Sequence, residues 1–242
     1  MLPLKLNNIL IYALLLGCLP TKGQAQNYVH FTSWNKIAIG KEFSEAFELS
    51  GEFNYKRQNN YHSNLESPLA NAYSEDLKLW LNFKKNDWML VVSPFTHLYN
   101  MPLLGKESDF SAKGAEEWRF ALGLEYRPSF EKWGYKLRAT YEYRLLESHQ
   151  YSPTGRLRLR VGANYNFTEK TRLVLQNDLF FNTSPSPATN FYDNDWASIG
   201  INHAFSDHLN MELGYLRATK ERSTQTEFDL ENAINLAIII HL

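Results

Sequence analysis

Strict alternation of apolar and polar residues is the feature that most constrains the fold of this chain. In residues 157–167, apolar side chains occupy every second position, and arginine, glycine and asparagine fill the positions between them. Side chains on a β-strand point to opposite faces in turn, so this period of two predicts a strand with one apolar and one polar face. Ten further segments show the same period, clearly or weakly: 28–40, 47–55, 77–83, 88–98, 118–126, 133–145, 171–181, 195–205, 209–217 and 228–242.

The connections between these segments alternate between short turns and long loops. The short turns fall near 41–45, 85–87, 128–132, 168–170 and 206–208, and the long polar loops near 58–73, 99–115, 147–154, 182–193 and 218–226. This order predicts an all-β, antiparallel transmembrane β-barrel of 10–12 strands, with short periplasmic turns and longer extracellular loops. Because bacterial single-chain barrels have even strand numbers, we expect ten or twelve strands. There are ten strands if segment 28–40 is not a full wall strand. There are twelve if the boundaries of one pair of segments are placed wrongly.

Composition agrees with a barrel whose apolar face meets lipid. The mean hydropathy of -0.42 is too polar for a bundle of membrane helices, yet 14% of the residues are aromatic. A soluble β-sandwich or lipocalin-like barrel also alternates, but apolar faces that continue across at least eight segments favour the membrane. Interfacial girdles would use the aromatic residues near strand ends. These are Trp88, Trp118, Tyr126, Trp133, Tyr165, Phe167 and Phe205, with His203 in the same phase.

The first 25 residues predict export from the cytoplasm. A weakly positive start, a short apolar run and Gly23-Gln24-Ala25 together form a signal peptide that is cleaved after Ala25. An alternative is a lipobox at Leu15-Leu16-Gly17-Cys18, which would leave Cys18 as a lipidated N-terminus. Residues 26–242 are then one barrel domain. A single cysteine excludes a disulfide framework and a cysteine-based zinc site.

Several local patterns resemble a known family. They are the Gln-Ala-Gln around the cleavage site, a first segment with a Trp (Phe31-Thr-Ser-Trp34), a strand at 47–57, Tyr-Glu-Tyr-Arg at 141–144 and Arg-Leu-Arg-Leu-Arg at 156–160. In these the chain resembles the outer-membrane proteins catalogued as domain of unknown function 2490. The resemblance implies a barrel in a Gram-negative outer membrane. It implies no established activity and supplies no catalytic residues.

If the apolar positions face lipid, the alternate positions line the barrel lumen. The predicted lumen cluster is Arg119, Lys136, Arg138, Glu142, Arg144, Arg158, Arg160, Glu48, Glu52 and Asp76, with Arg156, Glu125, Asp178, Glu212 and Glu231 beside or across from it. One interpretation is a polar channel with a basic stripe that guides anionic solutes. The other, which a small barrel favours, is a plugged or narrowly gated interior in which opposite charges pair.

Two other function classes remain open. A lipid-modifying hydrolase would need Ser and His together at the outer rim, and a surface or periplasmic binding protein would need neither. The candidate pairs are His62 with Ser63 or Ser67, His97 with Ser93, and His149 with Ser148 or Ser152. Ser93 and His97 are expected to share one face of an extended strand. No Gly-x-Ser-x-Gly elbow occurs, so the chain is not expected to be an enzyme.

No cofactor or metal is expected. Asp193, Asn194 and Asp195 cluster in a predicted loop and could offer oxygens to Ca²⁺, but no full calcium-loop signature accompanies them. The expected partners are outer-membrane lipid and lipopolysaccharide, periplasmic chaperones and the barrel-assembly machinery. The terminal strand alternates between apolar and polar residues and ends at the apolar Leu242, which resembles the assembly signal of outer-membrane barrels. That signal usually ends in Phe or Trp. A net charge of -1 argues against nucleic-acid binding, and a monomer is expected.

Overall fold

The computed structural model describes residues 26–60, 67–147, 150, 153–183, 191–222, 224 and 226–242. The predicted signal peptide, with Cys18, lies outside them. The described strands are β1 (Gln26–Ser44), β2 (Phe47–Gln58), β3 (Asn71–Lys85), β4 (Trp88–Asn100), β5 (Ala115–Tyr126), β6 (Ser129–Phe130), β7 (Trp133–Leu146), β8 (Pro153–Asn166), β9 (Thr171–Asn182), β10 (Tyr192–Ser206), β11 (Leu209–Glu221) and β12 (Glu227–His241). One short 3₁₀ helix, Glu107–Ser111, lies between β4 and β5. Within this part of the chain, no helix is long and apolar enough to cross a membrane.

The strands form one closed barrel. Each wall strand pairs antiparallel with the next, β5 pairs directly with β7, and the two-residue β6 pairs with β7 inside the intervening turn. β1 then pairs with β12, which closes the sheet. The described wall therefore has eleven strands, and the predicted all-β barrel fold is confirmed.

The expected even strand number was wrong. β1 is a full wall strand, and its pairing with β12 runs without a break from Gln26↔Glu227 to Gly40↔His241. In an up-and-down wall with an odd number of strands, the first and last strands run in the same direction. They can therefore pair only in parallel, as β1 and β12 do. Gln26 lies at the end of the barrel that carries the long loops, and His241 lies at the end that carries the short turns.

The alternation in the sequence places apolar side chains outside and polar ones inside. On β5 the outward Leu122 is 56% exposed, whereas the inward Glu125 is fully buried. Buried charged residues of the same kind line other strands, including Asp76, Glu142, Arg156 and Asp178. This is the reverse of a water-soluble barrel, in which the interior is apolar and the outer surface polar.

Aromatic rings form a girdle around the short-turn end of the barrel. Six of the seven rings predicted for a girdle lie there, and Trp118 lies toward the long-loop end, with its ring 4.4 Å from His97. Three ring pairs join neighbouring strands, with centroid separations of 5.1 Å for Phe47–Phe83, 4.8 Å for Trp88–Tyr126 and 4.9 Å for Trp133–Tyr165. Two further pairs lie along one strand end, Tyr165–Phe167 at 5.3 Å and His203–Phe205 at 4.8 Å. A band of amphipathic rings at one level suits an interface between apolar and aqueous surroundings.

The parallel closure predicts which cysteine pairs can crosslink. Ile37 and Ile238 are direct partners across β1 and β12, so their Cα atoms should be about 5 Å apart, within the range of a disulfide. In a chain that starts at Gln26, and therefore lacks Cys18, we expect Ile37→Cys with Ile238→Cys to form an intramolecular disulfide, seen as a shifted band on a non-reducing gel.

The matched control moves one cysteine two residues along β12. Ile37→Cys with Ile240→Cys adds about 6.6 Å along the strand, which exceeds disulfide reach, so this pair should stay reduced. Equal crosslinking of both pairs, or of neither, would contradict the parallel register.

Candidate functional site in the barrel lumen

A cavity of about 890 Å³ runs through the barrel interior. Nine of the ten charged residues predicted for the lumen line it: Glu48, Glu52, Asp76, Arg119, Lys136, Arg138, Arg144, Arg158 and Arg160. The tenth, Glu142, is buried and accepts hydrogen bonds from Arg156, which does line the cavity. The inward strand positions thus bring side chains from distant parts of the sequence into one polar space.

Ion pairs within and between strands line the part of the lumen nearest the long loops. Glu117 accepts hydrogen bonds from both Arg119 and Arg144, each with an Nη2–Oε2 distance of 3.0 Å. The Arg156 guanidinium donates to Glu142, with an Nε–Oε2 distance of 2.8 Å, and to Asp193, with an Nη1–Oδ2 distance of 2.6 Å. Each partner offsets the cost of removing the other from water.

Two buried carboxylates each hold two arginines, Asp178 near the middle of the lumen and Glu125 near its short-turn end. Asp178 is fully buried and accepts from Nε of Arg158 and Nε of Arg160, each at 2.8 Å. Glu125 is also fully buried and accepts from Arg127 and Arg138. These shared carboxylates make the local balance basic, because each neutralises only one of its two partners.

An aromatic cluster packs inside the lumen beside the ion pairs. Trp34 meets Trp196 edge to face at a centroid distance of 5.0 Å, and Trp196 lies 4.6 Å from the ring of Phe180. The Lys56 ammonium sits 3.4 Å above the Trp34 ring, a favourable cation–π position. Glu231 accepts from the Trp34 indole at 3.3 Å.

Sequence reasoning missed this aromatic cluster, although signals were present. Trp34 occupies the same strand phase as Lys36, while the exposed Ile37 and Ile39 occupy the other phase. Phe180 and Phe181 are adjacent, so one of the two rings must point inward. Aromatic residues at strand positions that otherwise carry inward polar side chains would therefore have indicated the cluster.

The segment 101–114 between β4 and β5 reaches along the long-loop mouth and is called the lid segment here. Its Leu104 backbone N–H donates to Gln58 Oε1 on β2 at 3.0 Å. Further along, Lys106 Nζ lies 2.8 Å from Glu227 Oε2 on β12, and Asp109 accepts from Arg222 at 3.1 Å. The lid segment therefore contacts strand ends that lie far around the rim from its own strands.

Electrostatics support these lid contacts. The hydrogen bond to Glu227 raises the pKa of Lys106. Burial alone would lower the pKa of Arg222, but its hydrogen bonds to Asp229 and Asp109 outweigh that effect and raise it. Since a raised pKa keeps a basic group charged, Lys106 and Arg222 are both charged at neutral pH and lose their charge only as the pH rises above their ordinary titration range.

The expected shared face of Ser93 and His97 was wrong. A β-bulge between Ser93 and Thr96, next to Pro94, reverses the side-chain phase of β4. Ser93 is buried and bonds Thr96 Oγ1 at 3.0 Å. His97 points outward, where its ring lies 4.4 Å from Trp118. These two side chains cannot act together as nucleophile and base.

The other candidate pairs gain no support. His62, Ser63, Ser148, His149 and Ser152 lie outside the described residues. Ser67 is described, without its expected histidine partner.

The segment 193–195, predicted to be a loop, is a strand instead. Residues 193–195 belong to β10, where Asp193 binds Arg156 and Asp195 accepts from the Tyr192 hydroxyl. Pairing with β9 and β11 draws these residues into the wall. Across the described residues, no group of three or more His, Cys, Asp or Glu side chains could hold a metal ion.

Comparisons with known proteins find a matching family model and solved structures that are similar to parts of this chain. A family model described as "Protein of unknown function (DUF2490)" matches residues 31–229, and the comparison with curated proteins finds no match. A solved structure described as "NanC porin structure in rhombohedral crystal form" is similar at 9% identity over 80% of this chain and 88% of that chain, with a TM-score of 0.45. The siderophore receptor PirA from Acinetobacter baumannii is similar at 12% identity over 75% of this chain and 32% of that chain, with a TM-score of 0.33. Neither likeness indicates an activity for this chain.

The shared carboxylates predict a large stability effect. Asp178→Asn leaves two partly buried guanidinium groups, each 16% exposed, without their fully buried counter-charge. We therefore expect the free energy of unfolding to fall by about 3 kcal/mol. Urea unfolding of the protein in detergent micelles, followed by tryptophan fluorescence, measures it.

Glu42→Gln is the matched control, since the carboxylate of Glu42 is 65% exposed and pairs with Lys84 at the surface. Exposed pairs contribute less than about 1 kcal/mol, so this substitution should leave the free energy of unfolding almost unchanged. Similar losses in both variants would show that the buried lumen pairs stabilise the fold no more than a surface pair does.

Proposed function

This chain belongs to the DUF2490 family of proteins of unknown function, and from its geometry we propose a narrow outer-membrane barrel that admits small anionic solutes. The observation that carries the proposal is a polar cavity of about 890 Å³ with unlike walls. The β7–β9 wall is mainly basic and includes Lys136, Arg158 and Arg172, whereas the β2 and β3 walls are mixed, with Glu48, Glu52 and Asp76 beside Lys56 and Lys78. Such walls set up a field across the lumen that draws anions to one side.

The outer surface supports a place in a membrane. Large apolar side chains such as Ile199, Leu213 and Ile234 are 48%, 60% and 57% exposed on the outward face. An apolar surface of this extent is unfavourable in water and suits lipid. Wall strands of 12 to 19 residues exceed the roughly 9 to 11 needed to cross a bilayer. The closed sheet leaves no unpaired wall edge in the hydrocarbon.

The same surface determines the partners we propose. Outer-membrane lipid would contact the apolar band, and lipopolysaccharide would surround the long-loop end. Export by the signal peptide would deliver the chain to periplasmic chaperones and the barrel-assembly machinery, which would recognise the last strand, β12. Because the lumen is complete within one chain, we propose a monomer.

The lid segment suggests that passage is gated. Its anchors at Lys106 and Asp109 reach β12 and Arg222, beside the β11–β12 connection. Leu103 of the lid segment is buried and lines the cavity. A solute that crosses the barrel would have to displace this segment at the long-loop mouth, so the resting conductance should be small.

Planar-bilayer recordings test the proposal. We expect a small conductance with a reversal potential that favours anions under a salt gradient. The double variant Lys106→Met with Asp109→Asn removes both lid anchors and should raise the conductance severalfold, because the mouth opens while the wall strands stay intact.

Lys113→Met is the control for the lid variant, because Lys113 is exposed in the same segment. It should leave the conductance unchanged. The proposal fails if neither the natural protein nor the lid variant conducts, or if the open barrel prefers cations.

A further inference from the structure

Lys136 is a lumen cation without a counter-charge. It lies on β7 directly across from Gly162 of β8 and lines the cavity. Within the described part of the chain, it makes no hydrogen bond or ion pair. The four charged groups that act on it most strongly are all cations: Arg160, Arg127, Arg138 and Lys36. An ammonium group held in a narrow lumen among other cations is costly unless an anion joins it.

The nearby carboxylates are already shared by other cations. Glu125 serves Arg127 and Arg138, and Asp178 serves Arg158 and Arg160. These four arginines and Lys136 make five cations on this wall, and only two carboxylates, Glu125 and Asp178, pair with them. Arg138 and Arg160 are also direct cross-strand partners, and like charges in that position destabilise a sheet.

Repulsion between the cations reaches the edge of the barrel. Burial, and after it the charge of Arg138, lowers the pKa of Arg127 in the turn after β5 to about 10. Arg160 and Arg172 act on Arg127 in the same direction, and the Glu48 carboxylate opposes them. The basic wall thus continues from mid-lumen to the short-turn mouth.

The cations can be reached from that mouth. A second cavity, of about 560 Å³, lies at the short-turn end and is lined by the β8–β9 turn. Arg172 lines both this cavity and the lumen, together with Asn202, Asn166 and the single acid Glu131. Gly162, opposite Lys136, adds no side chain to the passage. An anion could therefore enter past Arg172 without moving the lid segment.

We infer that this wall is a binding site for a compact, multiply charged oxyanion, with Lys136 at its centre and Arg138 and Arg160 beside it. Guanidinium groups pair with phosphate or carboxylate through two parallel hydrogen bonds, and lysine adds a point charge. Glu52 lines the same cavity from β2, which would repel an extended anion and favours a compact one. The inference deepens the proposed function and rests on it for its biological meaning.

Titration calorimetry on the purified protein in detergent micelles tests the site, with inorganic pyrophosphate and citrate as probes and sodium chloride at matched ionic strength as the reference. We expect binding above the chloride reference. Tighter binding of pyrophosphate assigns the site to phosphate anions, and tighter binding of citrate assigns it to polycarboxylates.

Lys136→Met should weaken binding of the better probe about tenfold or more, because one charge-assisted contact is lost. Lys136→Arg should retain most of the affinity. Lys113→Met makes the same change of net charge at the far end of the barrel and should bind within about twofold of the natural protein. Heat-modifiable migration on a gel checks that each variant is folded.

Two results would overturn the site: no binding of either probe above the chloride reference, or undiminished affinity in folded Lys136→Met. The outcome is separate from that of the bilayer recordings. If the barrel binds pyrophosphate through Lys136 but does not conduct, the binding site is supported and the proposed passage of solutes is refuted. If the barrel conducts but binds neither probe, the passage is supported and the binding site is refuted.

Discussion

The hydrogen-bonded pairing of β1 with β12 is the interaction on which the rest of the structure depends. Without it, two strand edges would expose unpaired N–H and C=O groups beside an apolar outer surface, where no water can satisfy them. Closure also encloses the inward side chains and makes a lumen from what would otherwise be one face of an open sheet. The parallel direction of this pair follows from the eleven wall strands and places Gln26 and His241 at opposite ends of the barrel.

Once the barrel is closed, charge pairing decides the character of its interior. Toward the long loops, acids and bases pair within and between strands, and the aromatic cluster of Trp34, Phe180 and Trp196 packs beside them. Around Lys136 the positive charges outnumber the negative ones, since each carboxylate there is shared by two arginines. The well-paired region gives stability and a narrow passage, and the poorly paired region leaves cations available to an outside anion.

The fold was largely predictable because burial in a barrel follows the strand period. The alternation at 157–167 corresponds to β8, Pro153–Asn166, and the inward phase of each strand identified most of the lumen charges. Predictions failed where the period is interrupted or where it says nothing. The bulge beside Pro94 turns Ser93 and His97 to opposite faces. The rule that bacterial barrels have even strand numbers led us to exclude the parallel pairing of β1 with β12. Residues 193–195 form a strand because they pair with β9 and β11.

The sequence by itself determined that this chain forms strands with one apolar and one charged face, because a period of two is a local property of each segment. It also determined the ring positions near strand ends. Only the tertiary structure decided how many strands close the wall, which acid shares which arginines, and which cation is left without a partner. Those outcomes depend on register between segments far apart in the chain, where a shift of one residue would turn each side chain to the opposite face.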